Sequence, residues 1–437
     1  MLKTLRNALK IEDIRKRLIF TLAMLVVIRL GSQLPAPGVK PEFIQNFFAQ
    51  NSGELFNFFD AFTGGSFASM SVFALSITPY ITASIIMQLL TIAIPTLEEW
   101  HKEEDGRKKI VAITRYVNIG LSLLESSAMA IGFGRQGLLK NYNFVNCAIM
   151  VVTLTAGSAF LMWIGEQITE HGVGNGISIV LTINILSRIP SDFSNLYEQF
   201  ILPKVQQGAW APAILYALII LVIVIAVVVL VIMLQDGERT IPVQYSKKMV
   251  GRRMYGGQST HIPMKVNTAG VIPIIFAQSI LQVPVMICSF IGKGSDTFVI
   301  KCMNSNNWLN PSHLEYSVGL IVYIAMLIFF AYFYTSITFN PIEIANNMKK
   351  SGGFVPGIRP GKPTVDYLQN ILKYIIFIGA VGLTIVQLIP YFFNGVFGAS
   401  VSFGGTSLII IVGVVLETIK QIDSQMLVRN YQGFLKD

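Results

Sequence analysis

The stretch Pro212-Ala213-Ile214-Leu215-Tyr216-Ala217-Leu218-Ile219-Ile220-Leu221-Val222-Ile223-Val224-Ile225-Ala226-Val227-Val228-Val229-Leu230-Val231-Ile232-Met233-Leu234 carries no charged side chain. A helix needs about 20 such residues to cross the hydrocarbon core of a bilayer. Working outward, comparable blocks give ten spans: 18–34, 70–95, 112–133, 147–164, 175–189, 212–234, 269–291, 315–335, 370–392 and 405–420. The composition agrees. Of 437 residues, 53% are hydrophobic and only 13% charged, with mean hydropathy +0.59. Soluble domains carry about 25% charged residues, so a soluble enzyme and a disordered chain are both excluded. The reading is an all-α polytopic membrane protein.

The charges between spans set its orientation. On one side lie the connections 1–17, 96–115, 165–174, 235–268, 336–373 and 420–437, with 25 Lys and Arg; on the other lie seven, and Arg29 sits near the outer end of span 1. The positive-inside rule places both termini in the cytoplasm. Residues 1–17 hold six Lys and Arg, with leucines and isoleucines three to five apart. They are expected as an amphipathic surface segment.

Two cytoplasmic loops, 235–268 and 336–369, are longer than a connection requires. They carry Arg239, Lys247, Lys248, Arg252, Arg253, Lys349, Lys350, Arg359 and Lys362, with glycine turns at their centres. They read as protruding fingers that either contact anionic lipid or dock a cytoplasmic partner. Phosphate contacts of such loops, as to ribosomal RNA, are salt-sensitive.

Inside the spans, ionisable groups are scarce. Glu125 is the one carboxylate well inside, and it reads as a hydrogen-bonded structural residue. A solute transporter usually carries such groups at mid-depth. There is no HExxH, Walker A or GxSxG pattern and no metal spacing, so no enzymatic activity, metal or cofactor is expected. Pro79 in span 2 and Pro273 and Pro284 in span 7 are expected to kink their helices. Ile81 and Ile85 share a helix face, as do Leu181 and Ile185. Such pairs serve as core or lipid contact, or line a dewetting gate; spacing alone does not choose.

Several strings are more specific. They are Pro79-Tyr80-Ile81-Thr82-Ala83-Ser84-Ile85-Ile86-Met87-Gln88-Leu89-Leu90, Gly174-Asn175-Gly176-Ile177-Ser178, Gln258-Ser259-Thr260-His261-Ile262-Pro263 with Lys265-Val266-Asn267, Phe354-Val355-Pro356-Gly357-Ile358-Arg359-Pro360-Gly361, and Phe403-Gly404-Gly405-Thr406-Ser407-Leu408. In this order the chain resembles the SecY family of bacterial protein-translocation channels, from Arg17 to about Gln425. The resemblance implies two inverted, pseudo-symmetric five-helix halves around an hourglass pore. These are an N-terminal half at 18–190 and a C-terminal half at 212–420, joined by an external hinge loop at 191–211 and followed by a cytoplasmic tail at 421–437.

The resemblance also implies site residues. A pore ring would be formed by Ile81, Ile85, Leu181, Ile185, Ile275 and Ile410. A plug near 56–70, a short helix on the outer side of the ring, would include Phe62, Thr63, Gly64, Gly65, Ser66, Phe67, Ala68 and Ser69. A lateral gate between spans 2–3 and 7–8 would involve Ile86, Gln88, Gln278, Ser279 and Val283. Arg239, Lys247, Lys248, Arg252, Arg253 and Arg359 would dock the SecA motor ATPase or the ribosome. SecE would clamp the halves, and SecG would sit at the periphery. Preproteins and signal sequences would be the substrates, membrane lipid the exit, and the bacterial cytoplasmic membrane the location. The competing expectation is a secondary transporter of a small solute, which calls for a charged rather than aliphatic midplane.

Overall fold

The structure, a computed structural model, describes residues 9–40, 42–43, 60, 62–135, 137–206, 208, 210–245, 248–250, 253–255, 259–291, 297–304, 307–309, 313–397 and 405–433. Ten long helices stand where ten spans were expected: Glu12–Gly31, Thr78–Ala93, Glu104–Arg135, Phe144–His171, Gly176–Leu196, Trp210–Asp236, Ile272–Ile291, Val318–Thr338, Lys362–Phe397 and Gly405–Gly433. They are called spans 1 to 10. A helix satisfies its own backbone, as lipid demands. By length and composition six described helices can cross a membrane, or seven when span 2 is joined to the helix after it. Span 1 is diluted by Arg15, Lys16, Arg17 and Arg29, and span 5 by Asn184, Arg188 and Asp192.

Spans 1 to 5 pack on one another, as do spans 6 to 10. Between the two groups, span 5 meets span 10 and span 3 meets span 7. The link at 191–211 was expected as a loop. Instead span 5 continues to Leu196, followed by a π-helical turn, Tyr197–Ile201, and a short helix, Leu202–Gln206. Span 4 and the start of span 5 approach so closely that a Cβ on Gly176 would meet the Gly165 carbonyl. The Asn175 side chain caps span 5, accepting from the Ile177 and Ser178 amides at 3.1 and 3.3 Å. This satisfies two of the unpaired donors at a helix start.

The break in span 2 is not at Pro79. That residue sits in the first turn, where its missing N–H costs nothing. Pro273, second residue of span 7, is equally harmless, leaving Pro284 as the interior proline there. The chain turns instead at Ile94, extended at φ −113° and ψ 112°. It then enters a surface helix, Pro95–Lys102, at 106° to span 2. A residue preceding proline is pushed out of the helical region, which explains the position of the bend. The separate surface helix expected over 1–17 also differs. From Glu12 onward this segment is the first turn and a half of span 1, and residues 1–8 lie outside the described set.

The two long loops are not independent fingers. Strands β1 (Glu238–Tyr245), β2 (Lys248–Val250), β3 (Arg253–Tyr255) and β4 (Ser259–Lys265) come from the first, and β5 (Gly353–Phe354) from the second. They make one sheet of order β4-β1-β5, with Ile241 opposite Ile262 and Gln244 opposite Phe354, and a two-stranded β2-β3 ribbon. Along β1 the alternation puts Ile241 and Val243 inward, the period of two expected of a strand. They join one apolar core with Met348 of a helix at Pro341–Ser351 and with Leu368 and Ile371 of span 9. Ile241 is 1% exposed. Ile241→Ala is expected to cost about 2–5 kcal/mol and to speed tryptic cleavage after Arg239 and Lys265. An unchanged cleavage rate would show that this core does not hold the sheet.

Candidate functional site

Ile81 of span 2, Leu181 and Ile185 of span 5 and Ile410 of span 10 lie in a single apolar cluster with Phe62 and Ile77. Leu181, Ile185 and Ile410 are buried. Three helices from both halves therefore converge on aliphatic side chains. Ile85 is also buried, one turn beyond Ile81, but lies outside that cluster, and Ile275 is half-buried beside Ile274 of the second-half core. Four of the six expected ring residues are thus brought together.

Against this cluster sits the expected plug. Residues 56–59 and 61 lie outside the described set. Among the described residues Asp60, Phe62 and Thr63 are helical, and turns follow to Met70. Gly64 and Gly65 have φ of +66° and +86°, a region that favours glycine. A Cβ on Gly64 would stand 2.8 Å from the Asn184 carbonyl and 2.9 Å from Arg29 Nη1. Polar contacts from Arg29, Ser187, Ser76 and Arg188 tie the segment down. Arg29 of span 1 donates to the Gly64 carbonyl at 3.2 Å, and the Ser187 hydroxyl donates to the same oxygen at 3.4 Å. The Ser76 hydroxyl donates to the Phe62 carbonyl while accepting from Asn184 Nδ2 at 3.0 Å. Asp60 accepts the Ala68 amide at 2.8 Å and pairs with Arg188 Nη1 at 2.8 Å, with its own side chain only 1% exposed. Burial raises the Asp60 carboxyl above its usual range; Arg188, the Ala68 amide and the Thr63 hydroxyl pull in the opposite direction.

Sequence reasoning missed Asp60, Arg188 and Asn184 here, and it noted Arg29 only as a lone cation. The available signal was a carboxylate beside the glycine pair and an arginine at the end of an otherwise apolar span.

At the expected lateral gate, the Tyr334 hydroxyl of span 8 donates to Gln88 Oε1 of span 2 at 3.4 Å. Tyr334 was not foreseen. Phe276 stacks on Phe330 at 5.2 Å, joining spans 7 and 8. Ile86 is half-buried and Ser279 exposed; the Val283 side chain lies outside the described set. Gln278 departs from expectation. It is buried and donates through Nε2 to the Tyr391 hydroxyl of span 9 at 3.1 Å. A buried amide needs a partner, and this one finds it inside the second half rather than across the gate.

Among the expected docking residues, Arg239 on β1 and Arg359 are exposed. Arg359 lies between Gly357 and Gly361, both at positive φ. Its carbonyl accepts from the Thr364 hydroxyl at 2.9 Å, which fixes the turn. Lys248 and Arg253 lie on β2 and β3. Lys247 and Arg252 fall outside the described residues.

A family model described as SecY matches residues 71–419. The chain belongs to the SecY family. It is 43% identical to the protein translocase subunit SecY of Bacillus subtilis, with 100% of each chain covered. It is 40% identical to that of Corynebacterium glutamicum, over 98% of this chain and 99% of the relative. Its fold is similar to a solved protein-conducting channel at TM-score 0.64 and 18% identity, covering 95% of this chain and 93% of the other. It is also similar, at TM-score 0.63, 18% identity and the same coverage, to Sec61 in the canine ribosome-channel complex from the endoplasmic reticulum. This SecY-family chain is therefore a multi-pass membrane protein and a protein translocase channel subunit. The small-solute transporter has no support.

Proposed function

We propose that the chain conducts unfolded preproteins through the centre of the molecule, and that Ile81, Ile85, Leu181, Ile185, Ile275 and Ile410 form the constriction they pass. The observation carrying this reading is the cluster in which Ile410 of the second half joins Ile81, Leu181 and Ile185 of the first, with Phe62 packed against them. A translocating chain presents every kind of side chain, so a strong polar site would trap some of them. Aliphatic side chains offer no specific hydrogen bond, deform around the chain and exclude water when nothing occupies them. Residues 62–69 would add a second barrier as the plug. An apolar segment would leave between spans 2–3 and 7–8, past Ile86, Gln88, Ser279 and Val283, driven by roughly 25 cal/mol per Å² of apolar surface buried in lipid.

The same reading places the chain in the bacterial cytoplasmic membrane with both termini and the β4-β1-β5 sheet inside, from the asymmetry of 25 basic residues against seven. Exposed Arg239 and Arg359 on that sheet and its adjoining turn support docking of the SecA motor or of ribosomal RNA there, with Lys247, Lys248, Arg252 and Arg253 in the same loop. SecE as a clamp across the halves and SecG as a peripheral subunit follow from family membership. The energy source is external.

Crosslinking probes placed at 81, 85, 275 and 410 are expected to capture a stalled secretory chain. Probes on the lipid-exposed face of span 6, such as Leu221 or Met233, are expected not to. Equal capture from both sets would overturn the assignment of the pore.

A further inference from the structure

Span 5 supplies two polar contacts to the plug segment, from Ser187 and Arg188, and Asn184 of the same helix reaches it through Ser76. Asn184, Ser187 and Arg188 are spaced three and four apart, as are Leu181 and Ile185 before them, so latch and constriction share a helical stripe. The pair Asp60–Arg188 stands out. Its 2.8 Å contact joins a carboxylate with 1% exposure to a guanidinium with 24%. A pair taken this far out of water gains little net stability over an apolar contact, because desolvation offsets the attraction. Removing one partner, however, strands the other. Such a pair is poorly suited to adding stability and well suited to fixing position.

We infer that Asp60 and Arg188 are positioning residues that latch the plug against the constriction and release it when the pore is wetted. The proposal rests on reading 62–69 as a plug. The attraction between two charges falls as the local dielectric rises. In the dry, empty pore the pair holds. A preprotein that enters brings water and its own polar groups, which screen Asp60 and Arg188 and offer each new partners. Two further features fit an exchangeable contact. Arg188 Nε and Asn184 Oδ1 are buried without a hydrogen-bond partner among the described residues, leaving one donor and one acceptor on the stripe open to an arriving backbone. The remaining anchors, Arg29 and Ser187 on the Gly64 carbonyl and Ser76 on the Phe62 carbonyl, hold backbone atoms. They would guide the plug back without demanding any particular side chain of it.

The test is ion leak from vesicles of bacterial lipid containing the full chain, with no preprotein present. D60N keeps an acceptor for the Ala68 amide and removes only the charge; R188Q removes the other charge from the span. Each is expected to raise leak by roughly tenfold or more, the size of effect that follows when a buried pair loses one member. R188K, which keeps the charge, is expected to seal like the parent. The double variant D60N/R188Q strands no charge and is expected to leak less than either single variant, the non-additivity of a true pair. A structural role independent of pairing would give multiplied effects instead. Deletion of 62–69 is the control for the plug reading. If the deletion leaks while both single variants seal, or if the double variant shows the product of the single effects, the latch is overturned. If the deletion itself seals, the plug reading falls and the latch with it.

Discussion

Replacing Ile81 and Ile410 together with asparagine is expected to raise the resting ion conductance of the reconstituted channel by about 100-fold or more. Each isoleucine contributes apolar surface worth about 1.5–3 kcal/mol when kept from water. These two residues lie on spans 2 and 10, in opposite halves, within the same cluster. Losing both weakens the exclusion of water by about 3–6 kcal/mol, and every 1.4 kcal/mol is about a factor of ten. Part of that is recovered by residual packing, which leaves about two decades. An amide at each position also gives water a foothold. The variant should admit preproteins with weak signal sequences, since less binding energy is then needed to open it. Ile→Leu at the same positions is the control: volume is conserved, Leu181 already serves in the cluster, and conductance should remain at the parent level. Unchanged single-channel conductance of the asparagine variant in a planar bilayer would remove Ile81 and Ile410 from the constriction.

The second large effect is expected from Arg359→Glu. Arg359 is exposed on a turn held by Gly357, Gly361 and the Thr364 hydroxyl, so the fold should tolerate the change. The turn follows β5, which pairs with β1 at Gln244 and Tyr245. Arg359 and Arg239 are therefore carried by elements of one platform. Reversing a charge at a docking surface converts attraction into repulsion and slows association in a salt-dependent way. Motor-driven secretion into vesicles should fall by about tenfold or more at low salt, with the melting temperature unchanged. Full secretion by the variant would remove Arg359 from the docking surface.

The spans were legible because lipid favours runs of about 20 apolar residues per crossing, and a long helix stands at each of the ten places where the sequence carries such a run, even where polar residues dilute it. The small pattern breaks were harder. Pro79 and Pro95 each stand in the first turn of a helix, yet only the second breaks a span, because it follows span 2 directly and pushes Ile94 out of the helical region. The β4-β1-β5 sheet went unseen because its strands come from loops about a hundred residues apart. No local pattern announces that Gln244 will pair with Phe354.

The proposed constriction was legible only through long strings shared with a family. Periodicity placed Ile81 with Ile85 and Leu181 with Ile185 but had no means of adding Ile410, more than 200 residues on. The ion pair of Asp60 and Arg188 was beyond reach for the same reason. In the linear chain each is an isolated charge; their partnership exists only where the segment before span 2 folds back onto span 5.

Membrane residence, the places of the ten long helices, the uneven distribution of basic residues among the connections and the scarcity of ionisable groups within the spans were all written in the order of residues, because solvation by lipid acts on each segment separately. Which aliphatic side chains meet, which glutamine turns inward and which arginine pairs with Asp60 depended on helices packing across long separations. Those choices follow from close packing and from the need of every buried polar group for a partner, conditions that a segment cannot meet alone.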